Sequence, residues 1–163
     1  MDLFNNPANA VFSPCRTYRY ELWRRWGSGD YAMFIGLNPS TADEIQDDPT
    51  VRRCIRYAKS WGFAALCMTN IFAYRATDPR DMKAASEPIG GAENDRTLLE
   101  RANKAGVVIA AWGTHGAFMG RGEAVRALLR DCNLHYLRQT QDGHPSHPLY
   151  LPADLTPIQW EVK

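Results

Sequence analysis

The sequence predicts an α/β domain: a mainly parallel sheet of four to five strands, covered by helices on both faces, with one antiparallel strand on its N-terminal side. Three observations lead there. Short apolar runs of strand length recur at residues 31–35, 64–69, 106–112 and 134–137. Stretches with helical spacing and helix start and stop signals separate them, and strands that alternate with helices build a parallel sheet layered on both sides. The 163 residues also match one ordinary domain, long enough to bury most of its apolar surface. Residues 1–163 are therefore read as one domain with its core over 31–152.

Taken in order, Tyr18, Tyr20 and Leu22 alternate with Arg19 and Glu21, the period of a half-exposed strand. Gly27, Ser28, Gly29 and Asp30 form a turn into the apolar run at 31–35, and the two are expected to pair as an antiparallel hairpin, the N-terminal arm spanning 11–30. After Asn38-Pro39 a helix is expected, capped by Asp47 or Asp48 with Pro49 in its first position. Val51, Cys54, Ile55, Ala58 and Trp61 share one of its faces, and Gly62 stops it. The run at 64–69 ends on Asn70. Helical segments follow at 81–85 and 94–104, then the strand at 106–112, a helix over about 117–130, the strand at 134–137 and a proline-containing loop at 141–152.

Composition excludes several classes. A 45% hydrophobic and 23% charged chain is neither disordered nor fibrous. A net charge of +1 argues against a dedicated high-affinity DNA binder, although the cations are mostly Arg, which suits phosphates and carboxylates. The four cysteines form no C-x-x-C pair, so no metal or iron–sulfur cofactor is expected, and Cys54 and Cys67 read as core residues. The first six residues lack the pattern of a secretion signal, and no apolar run is long enough to span a bilayer. A cytoplasmic protein without a membrane partner is the expectation.

In open parallel sheets ligands bind beyond the carboxyl ends of the strands. Gly36-Leu37-Asn38-Pro39-Ser40, residues 70–79 and residues 113–116 all fall there, and the last strand leads to residues 144–150. Each segment has a plain structural reading. Asn-Pro favours a turn, and the acids Asp43, Glu44, Asp47 and Asp48 suit a helix N-terminus. The functional readings are that Asn38 presents a carboxamide at the sheet's mouth and that Tyr74 and Arg75 meet a base and a phosphate. His144 and His147, each followed by proline, stand on stiff extended backbone, able to donate a hydrogen bond to developing negative charge.

Taken together, the runs GLNPSTAD, DDPTVRRC, TNIFAYRATDP, AAWGTHG and HPLYLP resemble an uncharacterised bacterial and phage family known as domain of unknown function number 1643. That family is in turn similar to the uracil-DNA glycosylase superfamily. The resemblance implies a glycosylase-like three-layer α/β/α fold and a first motif at Gly36–Ser40 in which Asn38 places the attacking water. It also implies that Asn70 reads the edge of the base and that Tyr74-Arg75 echoes the loop that follows. The second motif supplies a histidine to the leaving base and a leucine to the DNA. His144-Pro145-Ser146 and His147-Pro148-Leu149 both match part of it, and His147 is favoured. The cysteine ligands of the iron–sulfur branch are absent.

The expectation is hydrolysis of the N-glycosidic bond of a modified or damaged nucleobase, with Asn38 and His147 catalytic. Gly36, Leu37, Pro39, Ser40, Asn70, Tyr74, Arg75, His144, Pro148 and Leu149 would contact the substrate. The partner is nucleic acid, DNA ahead of RNA, or a nucleotide, with no cofactor and no metal. A non-catalytic module binding modified bases, and a nucleotide-level N-glycosidase, stand as alternatives.

Overall fold

A computed structural model describes residues 7–161; residues 1–6, where no secretion signal is read, and residues 162–163 lie outside them. The elements run β1 (Ala8–Phe12), β2 (Arg19–Arg25), β3 (Tyr31–Gly36), α1 (Pro49–Ser60), β4 (Ala65–Asn70), α2 (Pro79–Ala84) and α3 (Gly91–Lys104). They continue with β5 (Val107–Ala110), α4 (Arg121–Leu128), β6 (Leu134–Tyr136) and β7 (Ile158–Gln159). Among the described residues the fold is α/β, with four α-helices and one mixed sheet of seven strands in the order β1-β2-β4-β3-β5-β6-β7. β4, β3, β5 and β6 run parallel. β1 and β2 add antiparallel strands at one side and β7 at the other.

The sheet is larger than the four to five strands expected. β1 carries Asn and Ala in place of a strong β-forming pattern, and β7 has two exposed residues, so neither announces itself. The expected hairpin between the first strand and residues 31–35 does not form, because β4 lies between β2 and β3. Backbone hydrogen bonding gives the reason. Trp26 and Gly27 both donate to the Ala64 carbonyl at 3.0 and 3.2 Å, and Ala64 donates to the Asp30 carbonyl at 2.9 Å. The turn at 27–30 therefore wraps around the start of β4, and β2 pairs with β4 instead.

β3 and β4 are buried throughout, as strands covered on both faces must be. Phe34, Leu66, Met68 and Ile109 pack with Val51, Cys54 and Tyr57 of α1. Their neighbours Met33, Ile35, Cys67 and Val108 face the other way, toward Met82 of α2, Leu98 of α3 and Val125 of α4. α1 begins as the sequence predicts, with Asp48 accepting from the Val51 amide at 2.8 Å and Pro49 in the first turn.

The helix expected at 117–130 begins only at Arg121. A 3-10 segment, Thr114–Gly120, precedes it, broken by non-helical backbone at Phe118 and Met119. Trp112 packs against this segment: a Cβ added at Gly116 would lie 2.1 Å from its indole Cδ1, so only glycine lets the backbone pass so close to the ring. No helix among the described residues is long and apolar enough to cross a membrane.

Candidate functional site

β3 and β4 end side by side, with Gly36 paired to Asn70. The chain then continues the pairing for two more residues, Ile71 donating to the Gly36 carbonyl and Phe72 to the Leu37 carbonyl, both at 2.9 Å. This fixes residues 36–40 above the end of the sheet. The segment after β5 closes a second wall, where Gly113 donates to the Pro145 carbonyl at 2.7 Å and packs beneath His147. Between these walls and the start of α1 lies a cleft of about 600 Å³. Gly36, Leu37, Asn38, Pro39, Ser40, Asn70, His147, Pro148 and Leu149 line it.

Three predicted residues do not line the cleft. Tyr74 bridges Tyr18 across the sheet edge, with its ring edge-on to the Tyr18 ring at 6.0 Å. Arg75 donates to the Arg16 carbonyl at 3.1 Å and lies over the Phe12 ring at 4.7 Å. His144 closes its own turn, its amide donating to Thr140 Oγ1 and its carbonyl accepting from the Thr140 amide. Of the two prolyl-flanked histidines, the structure brings His147 to the cleft.

The polar groups there are held in defined states. Asn38 Nδ2 donates to the Ala76 carbonyl at 2.7 Å, so the atom it can offer a ligand is the acceptor Oδ1. Asn70 Oδ1 accepts from Arg19 Nη2 at 3.4 Å, which leaves Nδ2 as its donor for a ligand. A Cβ on Gly36 would sit 2.9 Å from that Nδ2, so glycine is what lets the amide lie over the strand end. His147 Nδ1 accepts from the Leu149 amide at 3.2 Å. The neutral ring must then carry its proton on Nε2, which makes it a donor. The ring's edge reaches solvent, yet the protein packed around it lowers its pKa, against an opposing pull from Asp48. Neutral histidine is therefore the form favoured near neutrality.

Two further residues shape the cleft. Asp48, read first as an acid at a helix N-terminus, caps α1 and also lines the wall. The alternation puts Arg19 and Glu21 on the solvent side of a half-exposed strand, and the structure overturns it: Arg19 is 2% exposed and Glu21 4%. A register shift in β1 opposite this point pairs Phe12 with Arg19 and leaves Tyr20 as the extra residue, a bulge that re-aims the strand. Arg19 Nη1 holds the Ala42 carbonyl at 3.0 Å, and its Nε is buried without a partner. Alternation alone could not reveal this, because the bulge breaks the period. Burial pulls the Arg19 guanidinium down to about 10, with Asp48 opposing. Among the described residues no cluster of three or more His, Cys, Asp or Glu side chains is placed to hold a metal ion.

Among known proteins, the family described as "Protein of unknown function (DUF1643)" matches residues 19–149, most of the chain. No curated protein and no solved structure matches it. The matched span begins at Arg19 and ends at Leu149, both on the cleft.

Proposed function

Taking as premise that the chain belongs to the DUF1643 family, we propose that its cleft hydrolyses the N-glycosidic bond of a modified or damaged nucleobase, in the manner of a distant relative of the uracil-DNA glycosylases. The observation that carries this reading is the meeting of Asn38, Asn70 and His147 on one cleft, with an acceptor left free on Asn38 and donors left free on Asn70 and His147. Water adds to the sugar carbon as the carbon–nitrogen bond breaks and gives up a proton to solvent, while the base leaves with the bonding electron pair and then takes a proton from solvent. Asn38 Oδ1 accepts a hydrogen bond from the water and orients it. His147 Nε2–H donates to the base oxygen on which negative charge collects, and Asn70 Nδ2 donates to the base's edge. A neutral donor fixed in advance lowers the barrier without having to reorganise. The fold this reading invokes, helices layered on both faces of a sheet with the site at the strand ends, agrees with the packing of α1 on one face of the sheet and of α2, α3 and α4 on the other.

The test is release of free base, followed by chromatography, from DNA containing uracil, hypoxanthine or hypermodified pyrimidines and from the matching nucleotides. Release that disappears in Asn38→Ala and His147→Ala supports the reading. Binding with no release by the wild type overturns the hydrolytic step and leaves a base-binding module, the alternative that the net charge of +1 favours. Activity on monophosphates but not on single-stranded oligonucleotides assigns the reaction to free nucleotides.

A further inference from the structure

Arg19 sits at the cleft floor in a condition that folding alone does not explain. A guanidinium carries five N–H donors. Two of them are used here, on the Ala42 carbonyl and on Asn70 Oδ1, and both acceptors are neutral. Nε is buried without a partner, although the residue lines the cleft and is only 2% exposed. Asp48 acts on it through space, but the two form no ion pair, and Asp48 Oδ1 caps α1. Buried cations are normally met directly by an anion, and here the neighbouring space is the cleft. Asn70, turned by Arg19 so that Nδ2 is its free donor, adds a second donor beside the first.

We infer that Arg19 is a specificity-determining residue that takes an anionic oxygen of the ligand, a carboxylate or a phosphate, at the floor of the cleft. The inference rests on the cleft of the proposed reaction as a ligand site, but not on the reaction itself. A planar guanidinium with free N–H groups suits both oxyanions, and the two sources differ in where the charge sits: on the base as an acidic substituent, or on the sugar of a nucleotide. Arg19 also holds the Ala42 carbonyl, a structural duty that any replacement must be tested against.

The experiment measures binding by calorimetry for two matched pairs, 5-carboxyuracil against uracil and uridine monophosphate against uridine. Wild-type protein is expected to bind the anionic member of at least one pair about 10- to 100-fold more tightly, the range a charge-assisted hydrogen bond supplies. Arg19→Gln should erase that preference, and Arg19→Lys should keep only part of it. Which pair responds tells base carboxylate from sugar phosphate. Equal binding within both pairs, no binding of any of the four, or a preference that survives Arg19→Gln overturns the inference. Should Arg19→Gln not fold, the Nε–H resonance of Arg19 in wild-type protein decides. It should move with an anionic ligand and stay in place with its neutral parent, and failure to move with either anion overturns the inference. Because binding is read without turnover, the two claims separate. A protein that shows the Arg19-dependent preference yet releases no base keeps this inference and loses the reaction, and release without the preference does the reverse.

Discussion

Two buried charges stand two residues apart on β2 and are treated in opposite ways. Glu21 is fully met: its Oε1 accepts from the Trp23 indole at 2.7 Å and pairs with Arg101 at 3.2 Å, and Arg101 Nε reaches its Oε2 at 3.3 Å. Arg19 meets neutral acceptors and keeps a buried N–H without a partner. Arg121, another buried arginine, follows the Glu21 pattern, with Asp95 at 2.6 Å and the Ile71 carbonyl at 2.8 Å. A satisfied buried pair is what a fold needs to tolerate a charge away from water, and losing one partner leaves the other exposed to the full desolvation cost. An unsatisfied one is tolerated where something else arrives to complete it. The contrast separates the part of β2 that holds the sheet from the part that serves the cleft.

The sharpest way to break this contrast is to remove a cleft residue and look for a change in chemistry without a change in stability. His147→Ala is expected to slow base release about 100- to 1000-fold, the usual effect of losing one preorganised donor. Its melting temperature should change little, since the residue is exposed at the cleft's mouth. Glu21→Ala should do the opposite. Removing one partner of a buried pair is expected to lower stability by about 3 kcal/mol in urea unfolding, while ligand preference is retained.

Gly36→Ala tests the positioning of Asn70. The new methyl would press on Nδ2 at 2.9 Å, and a displaced amide should lower kcat/KM about 10- to 100-fold, with a smaller effect on unfolding. Arg19→Met should cost less stability than Glu21→Ala, about 1–2 kcal/mol, because it leaves two neutral acceptors, the Ala42 carbonyl and Asn70 Oδ1, rather than a buried charge, without a partner. A large loss on unfolding would place Arg19 with Glu21, as a structural charge.

The smallest effect concerns pH. The folded-state pKa of His147 lies below its ordinary value of 6.5, so the folded protein binds fewer protons there than the unfolded chain. Stability from this group is thus fully present above pH 6.5 and is lost as pH falls through the interval down to the lowered value. Protonation also removes the Nδ1 acceptor for the Leu149 amide. Base release should therefore fall on the acid side, and a His147→Gln variant should lack that dependence in its melting curve.

Much of this was legible in the sequence. The parallel core followed from the buried runs and the capped helix, because continuous apolar strands and Asp-Pro at a helix start are local signals. The cleft at the strand ends followed from topology, and Asn38, Asn70 and His147 line it. What escaped depended on nonlocal pairing. Nothing near residues 27–30 says that β4 will enter between β2 and β3, and a bulge hides the burial of Arg19 from any count of alternation. Tyr74 and Arg75 follow Asn70 by only a few residues, yet the strand-edge bridge to Tyr18 carries them off the cleft.

The most direct test of the central claim is a single-turnover assay with wild-type protein in excess over uracil-, hypoxanthine- or hypermodified-pyrimidine substrates, alongside His147→Ala and Asn38→Ala. Free base is predicted to accumulate with the wild type and to fall about 100-fold or more in each variant. Substrate that binds in the cleft but yields no free base with the wild type would contradict the account.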